Sequence, residues 1–197
     1  MKLILIALLL TGMTFASANE ISMVGVKIHD HSTALKKIKL EVLAKDKKEG
    51  MIKFRTENGN ELSFTSKEGK VVYMENDWLH DDAADVPLFS NFRFGKTSLR
   101  DIRKTLGTNG FTHVEHAGFT SDKEAIEFNC FEFDSPNHEI FATVTTVPLG
   151  ANVSEENVAD SLKLAAVIIA DKDYLDKIWG EKKVFDEGNY KKIKAGF

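Results

Sequence analysis

Cysteine is nearly missing from this chain of 197 residues: Cys130 stands alone. One thiol cannot close an internal disulfide, so stability has to come from apolar burial. The same scarcity excludes a lipoprotein, which needs a cysteine just after an N-terminal apolar run. Positive charge is also in deficit. The formal net charge is −4, which removes any general electrostatic pull toward nucleic acid or an anionic membrane and leaves only local patches to provide one. Long apolar runs are lacking. Residues 3–10 and 164–170 are the two uncharged apolar stretches, and both are too short to span a bilayer as a helix. The motifs of familiar chemistries are absent too: no G-x-S-x-G, P-loop, dinucleotide fingerprint, H-E-x-x-H, Cys-His cluster or calcium-loop spacing occurs.

What is present begins with an export signal. Lys2, the apolar run 3–10, and the small-residue tripeptide Ala16-Ser17-Ala18 follow the order of a secretory leader, placing the cut after Ala18. The mature chain loses Lys2 and becomes one charge more acidic. It is expected to be periplasmic or secreted, with no transmembrane segment and no cofactor.

Two later segments share an order of elements. In the first, Ser32-Thr33 can cap a helix whose apolar face is Leu35, Ile38, Val42 and Leu43. Strand-like runs follow at 51–56, 61–65 and 71–75, with Asn58-Gly59 as a hairpin signal. In the second, Thr97 or Ser98 caps a helix with the stripe Leu99, Ile102, Leu106, ended by Gly107. Strand-like runs at 111–116, 125–133 and 140–147 come next. Cys130 falls between phenylalanines in one of them and reads as a small buried hydrophobe.

From Ser154 onward, Val158, Leu162, Ala165, Ala166 and Ile169 suggest a helix that is apolar almost all round, continuing near Asp171 and stopping at Gly180. The expected fold is therefore α+β: two α-βββ repeats forming an antiparallel sheet, with a long C-terminal helix packed on it. The expected divisions are a signal peptide at 1–18, a first repeat with its inter-repeat loop at 19–90, a second repeat at 91–150, and C-terminal helices and tail at 151–197, all in one compact unit.

Gly95-Lys96-Thr97 followed by an amphipathic helix ending in Leu106-Gly107 resembles the repeat signature of exported proteins built like the beta-lactamase inhibitory protein and the SmpA/OmlA assembly lipoproteins. Here the glycine and the Leu-Gly pair stand one residue further apart. The resemblance implies a small α/β module that binds another protein, and it transfers no catalytic residue.

Candidate sites are few. The segment 77–89 sets His80, Asp81 and Asp82 beside Trp78 and Phe89, a composition suited to a cation-binding loop, a sugar platform or an acid/base pair. His29 and His31, two apart, share a face on an extended chain and are candidate metal ligands. The leading expectation is a non-catalytic module that binds another exported or envelope protein, and no nucleic acid. The alternatives are an envelope hydrolase using His80 with Asp81 or Asp82, and a periplasmic metal-binding protein.

Overall fold

The computed structural model describes residues 21–79, 91–185 and 188–194. The expected leader lies outside them. Along the chain a 3₁₀ turn at Ser32–Lys37 precedes the strands β1 (Glu41–Asp46), β2 (Met51–Arg55), β3 (Glu61–Lys67) and β4 (Lys70–Asp77). Helix α1 (Leu99–Leu106) leads into β5 (Phe111–His113), β6 (Gly118–Thr120), β7 (Glu124–Glu132) and β8 (Glu139–Pro148). The single turn α2 (Val158–Ser161), β9 (Lys163–Asp171), α3 (Lys172–Trp179) and β10 (Lys183–Phe185) complete the order.

All ten strands join one antiparallel sheet in the order β1-β2-β3-β4-β9-β8-β7-β5-β10, with β6 paired to β7. This overturns the α+β expectation, because the described residues form a mainly β protein with small helices and no long C-terminal helix. The decisive segment is 164–170. Its apolar character all round belongs to a central strand covered on both faces, a pattern that periodicity alone does not separate from a buried helix. Val167, Ile168 and Ile169 are fully buried, and β-branched side chains suit the pleated backbone. Ser154 caps no long helix. Its carbonyl accepts from Asn157 and Val158 in a turn ahead of α2. The helix expected from Ser32 is likewise cut to a 3₁₀ turn, and Val42 and Leu43 belong to β1.

Helix α1 forms where the sequence places it. Ser98 Oγ accepts from the Asp101 amide at 3.1 Å while Asp101 Oδ2 accepts from the Ser98 amide at 3.2 Å, a reciprocal cap. Gly107 takes the left-handed conformation that closes the helix, at φ 65°. Ile102 and Leu106 then pack with Met23, Val26, Phe64 and Phe141 over one face of the sheet, called here the α1 face. On the opposite, α3 face, Leu175 and Trp179 of α3 cover Cys130, Ile140, Ala142, Ile168 and Ala170. Cys130 is buried there, and burial pushes its thiol up. Among the described residues no helix is long and apolar enough to cross a membrane.

Trp78 follows Asp77 at the end of β4, and alternation turns it to the α1 face, where it packs against the core. Its amide donates to the Ala165 carbonyl at 2.8 Å, the residue where β9 bulges between its pairings with Val144 and Thr145. Its ring lies over Gly95, where a Cβ would come within 2.5 Å of Trp78 Cη2, and Gly95 has φ +69°. A Gly95→Ala substitution is therefore expected to destabilise the fold by more than the roughly 1–2 kcal/mol of left-handed backbone strain alone. In a Trp78→Ala background its additional cost should shrink toward that strain. Urea denaturation of both single variants and the double variant measures the coupling.

Candidate functional site

Alternation along β4 places Tyr73, Glu75 and Asp77 on the α3 face, opposite Met74 and Asn76. Antiparallel register sets Glu75 beside Ser63 and Asp77 beside Glu61 on β3, and Ser63 beside Lys53 on β2. Three carboxylates and one ammonium thus share adjoining positions on three neighbouring strands. Helix α3 packs against β4, β8 and β9, and no described helix extends over β2 and β3 on this face.

Hydrogen bonds organise the cluster. Lys53 Nζ donates to Glu61 Oε1, which Ser63 Oγ also approaches at 3.5 Å. The Tyr73 hydroxyl, Glu75 and Asp77 follow one another along the face, close enough for each to shift its neighbour's titration. Burial, reinforced by the Asp77 charge, pushes Glu75 up to about 7. Burial and the Glu61 charge push Asp77 up to about 6. Two carboxyls this close titrate as a pair, and the one that holds its proton longer can donate to its neighbour. Burial and the Glu75 charge also raise the Tyr73 hydroxyl well above its ordinary value, so it keeps its proton. Such a chain can hold a proton near neutrality and receive a cationic group once that proton is gone.

The same face continues toward β7. Asp77 lies beside Ala166, Ala166 beside Val144, and Val144 beside Phe128. At that end the His116 ring stacks on Trp179 with centroids 4.3 Å apart, and Phe128 and the exposed Phe119 flank them. Three strand steps at sheet spacing separate the carboxylates from this aromatic end, about 14 Å.

Helix α3 is tied down by its own charges. Asp176 takes bonds from Lys183 Nζ at 2.6 Å and Lys172 Nζ at 3.0 Å, which hold its carboxyl below the usual range against the opposing effect of burial. The buried His113 donates from Nδ1 to the Gly180 carbonyl at 2.6 Å, closing the chain after α3.

Of the residues singled out from the sequence, His80, Asp81, Asp82 and Phe89 lie outside the described residues. Trp78 lies on the α1 face, away from the carboxylate chain, with its ring against Gly95 and its buried indole nitrogen lacking a hydrogen-bond partner among the described residues. His29 and His31 each have separate work. His29, at φ 68°, bonds Asp171 Oδ2 at 2.8 Å, while Asp171 Oδ1 caps α3 by accepting from the Tyr174 amide. His31 Nδ1 accepts from the Thr33 amide at 3.3 Å and caps the 3₁₀ turn. Among the described residues no three His, Cys, Asp or Glu side chains are grouped to hold a metal ion. Asp77 entered the sequence reading only as the first carboxylate of the segment 77–89, and Glu75 went unnoticed because a carboxylate in an alternating strand reads as part of an ordinary solvent face. No family model, curated protein or solved structure matches this chain.

The raised carboxyls set a pH dependence. Folded Glu75 binds its proton more tightly than the unfolded group does, so stability from this site is full below about pH 4.5 and falls as pH rises through about 7. Glu75→Gln, which keeps a neutral hydrogen-bonding group, should raise stability at pH 8 by on the order of 1 kcal/mol and by less at pH 5. Denaturant titrations at the two pH values check both magnitude and order.

Proposed function

We propose that this chain is an exported, non-catalytic binding module that receives a basic segment of another exported or envelope protein on the carboxylate-bearing part of the α3 face. The observation that carries this reading is the grouping of Glu61, Glu75 and Asp77 on adjacent strands with Lys53 as the neighbouring cation. Once Glu75 and Asp77 ionise, the patch holds more negative than positive charge. A basic side chain entering it gains Coulomb attraction and offsets the carboxylate repulsion that, after burial, raises both carboxyls.

Support comes from three further directions. The leader-like residues 1–18 fit export. The resemblance of the segment from Gly95 to Gly107 to exported protein-binding modules agrees with a role in recognition. The aromatic end of the face, with Phe119 and Ile178 exposed at 55% and 46%, supplies an apolar anchor of the kind enriched in interfaces. Its separation of about 14 Å from the carboxylates matches a basic and an apolar side chain roughly four residues apart in an extended segment.

A photo-crosslinking residue at position 119 of the full chain, in its native host, tests the reading. A discrete protein adduct is expected, with yield higher at pH 8 than at pH 5.5 and reduced severalfold by Glu75→Gln with Asp77→Asn. Adducts no different from those of the same crosslinker at exposed Val24 would overturn it.

A further inference from the structure

Among the described residues the core on the α1 face is not closed at the β1 edge of the sheet. The 3₁₀ turn ends at Lys37, and Ile38 is already extended, so among the described residues no helix reaches across to the edge strand. What remains is a groove of about 480 Å³ floored by Leu35, Ile38, Val42, Ile52 and Phe54, a volume within the roughly 300–1,000 Å³ of small-molecule sites. Val42, on this floor, is 44% exposed, an apolar surface left in water that a ligand would cover.

Positive charge outweighs negative around the groove, three lysines to the one carboxylate of Asp46. Lys36, Lys45 and Lys47 line it, and none of them has a carboxylate partner among the described residues. The acid beside them, Asp46, is turned inward on its own loop, its Oδ1 accepting from the Lys48 and Glu49 amides at 2.8 and 3.1 Å. Glu49 faces Lys67, and Glu41 faces Arg55. In a chain of net charge −4 this is a local inversion. An added strand is a poor occupant. The β1 edge carries a bulge between Val42 and Ala44 and a lysine at position 45, devices that blunt strand addition.

We infer that this groove binds a single-chain anionic amphiphile of the fatty-acid type, its tail on the apolar floor and its carboxylate among Lys36, Lys45 and Lys47. One tail suits one groove, and a free monomer needs no membrane surface. This site is independent of the carboxylate face, which lies across the sheet.

Calorimetric titration of the full chain with laurate below its micellar concentration is the test, with dodecyl maltoside as the neutral-headgroup comparison. Saturable one-to-one laurate binding is expected. Val42→Glu should weaken it at least about tenfold. Lys36→Gln with Lys45→Gln and Lys47→Gln should weaken laurate while leaving dodecyl maltoside unchanged. These side chains are on the surface, and circular dichroism with the melting temperature verifies that each variant is folded. No saturable uptake, uptake that survives Val42→Glu and the lysine changes alike, or binding to anionic phospholipid vesicles without uptake of monomeric laurate would each overturn the inference.

Discussion

The pairing of β4 with β9 is the contact on which the rest depends. It joins β1–β4 to the strands on the other side of β9, with five successive residue pairs from Tyr73–Ala170 to Asp77–Ala166. β9 is then covered on both faces, by the α1-side core through Val167 and Ile169 and by α3 through Ile168 and Ala170. Each large aliphatic side chain buried there contributes about 1.5–3 kcal/mol. With no disulfide to assist, a polar substitution in this strand would remove stabilisation from both layers at once. β4 is thereby an interior strand, and that placement converts its outward carboxylates from a wetted edge into a crowded, partly desolvated group.

The two faces solve the covering problem differently. On the α1 face the segment around Met23, Val26 and Ile28, the 3₁₀ turn, Phe92 and Phe94, and α1 close a continuous aromatic-rich core, with Phe92 stacked on Phe141 and Phe141 on Phe131. Among the described residues closure stops where the 3₁₀ turn runs out, beside β1. On the α3 face the described residues supply one two-turn helix, anchored by Asp171 at its start and by Asp176 through Lys172 and Lys183. Eight residues cannot cover the breadth of this sheet, and among the described residues one side of the face carries polar groups. Those groups are the ones whose chemistry stands out.

Much of the local structure was legible because local rules determine it. The reciprocal cap of Ser98 and Asp101, the left-handed Gly107 and the turn at Asn58-Gly59 all depend on neighbours within a few residues. β9 was not legible. A run apolar on every side fits a helix in the core and a strand in the core equally, and what decides between them is β4 and β8 waiting on either side. That misreading also hid the site. As long as residues 164–170 are taken for a helix, β4 is a strand of unknown neighbours, Glu75 is one more surface acid, and Asp77 is only the first carboxylate of the segment 77–89. The histidine pair failed to converge for a similar reason: His29 adopts a left-handed conformation, which no alternation rule anticipates, and each ring was claimed by a helix or turn start.

Net charge conveys little about such a molecule. A value of −4 suggests a mildly acidic, evenly solvated surface. Register segregates the charges instead. Lys45 sits opposite Ile52 on the α1 side of the β1 edge, and Glu61 sits opposite Asp77 on the α3 side two strands further in. Because successive residues of a strand point to opposite faces, a sequence that mixes lysine and glutamate freely can still give one basic rim and one acidic patch on opposite sides of the same sheet. The fold sorts by parity what composition averages away. The charge pattern therefore differs from face to face: the lysines beside the β1 groove favour an anionic group, and the ionised carboxylates beside β4 favour a cationic one.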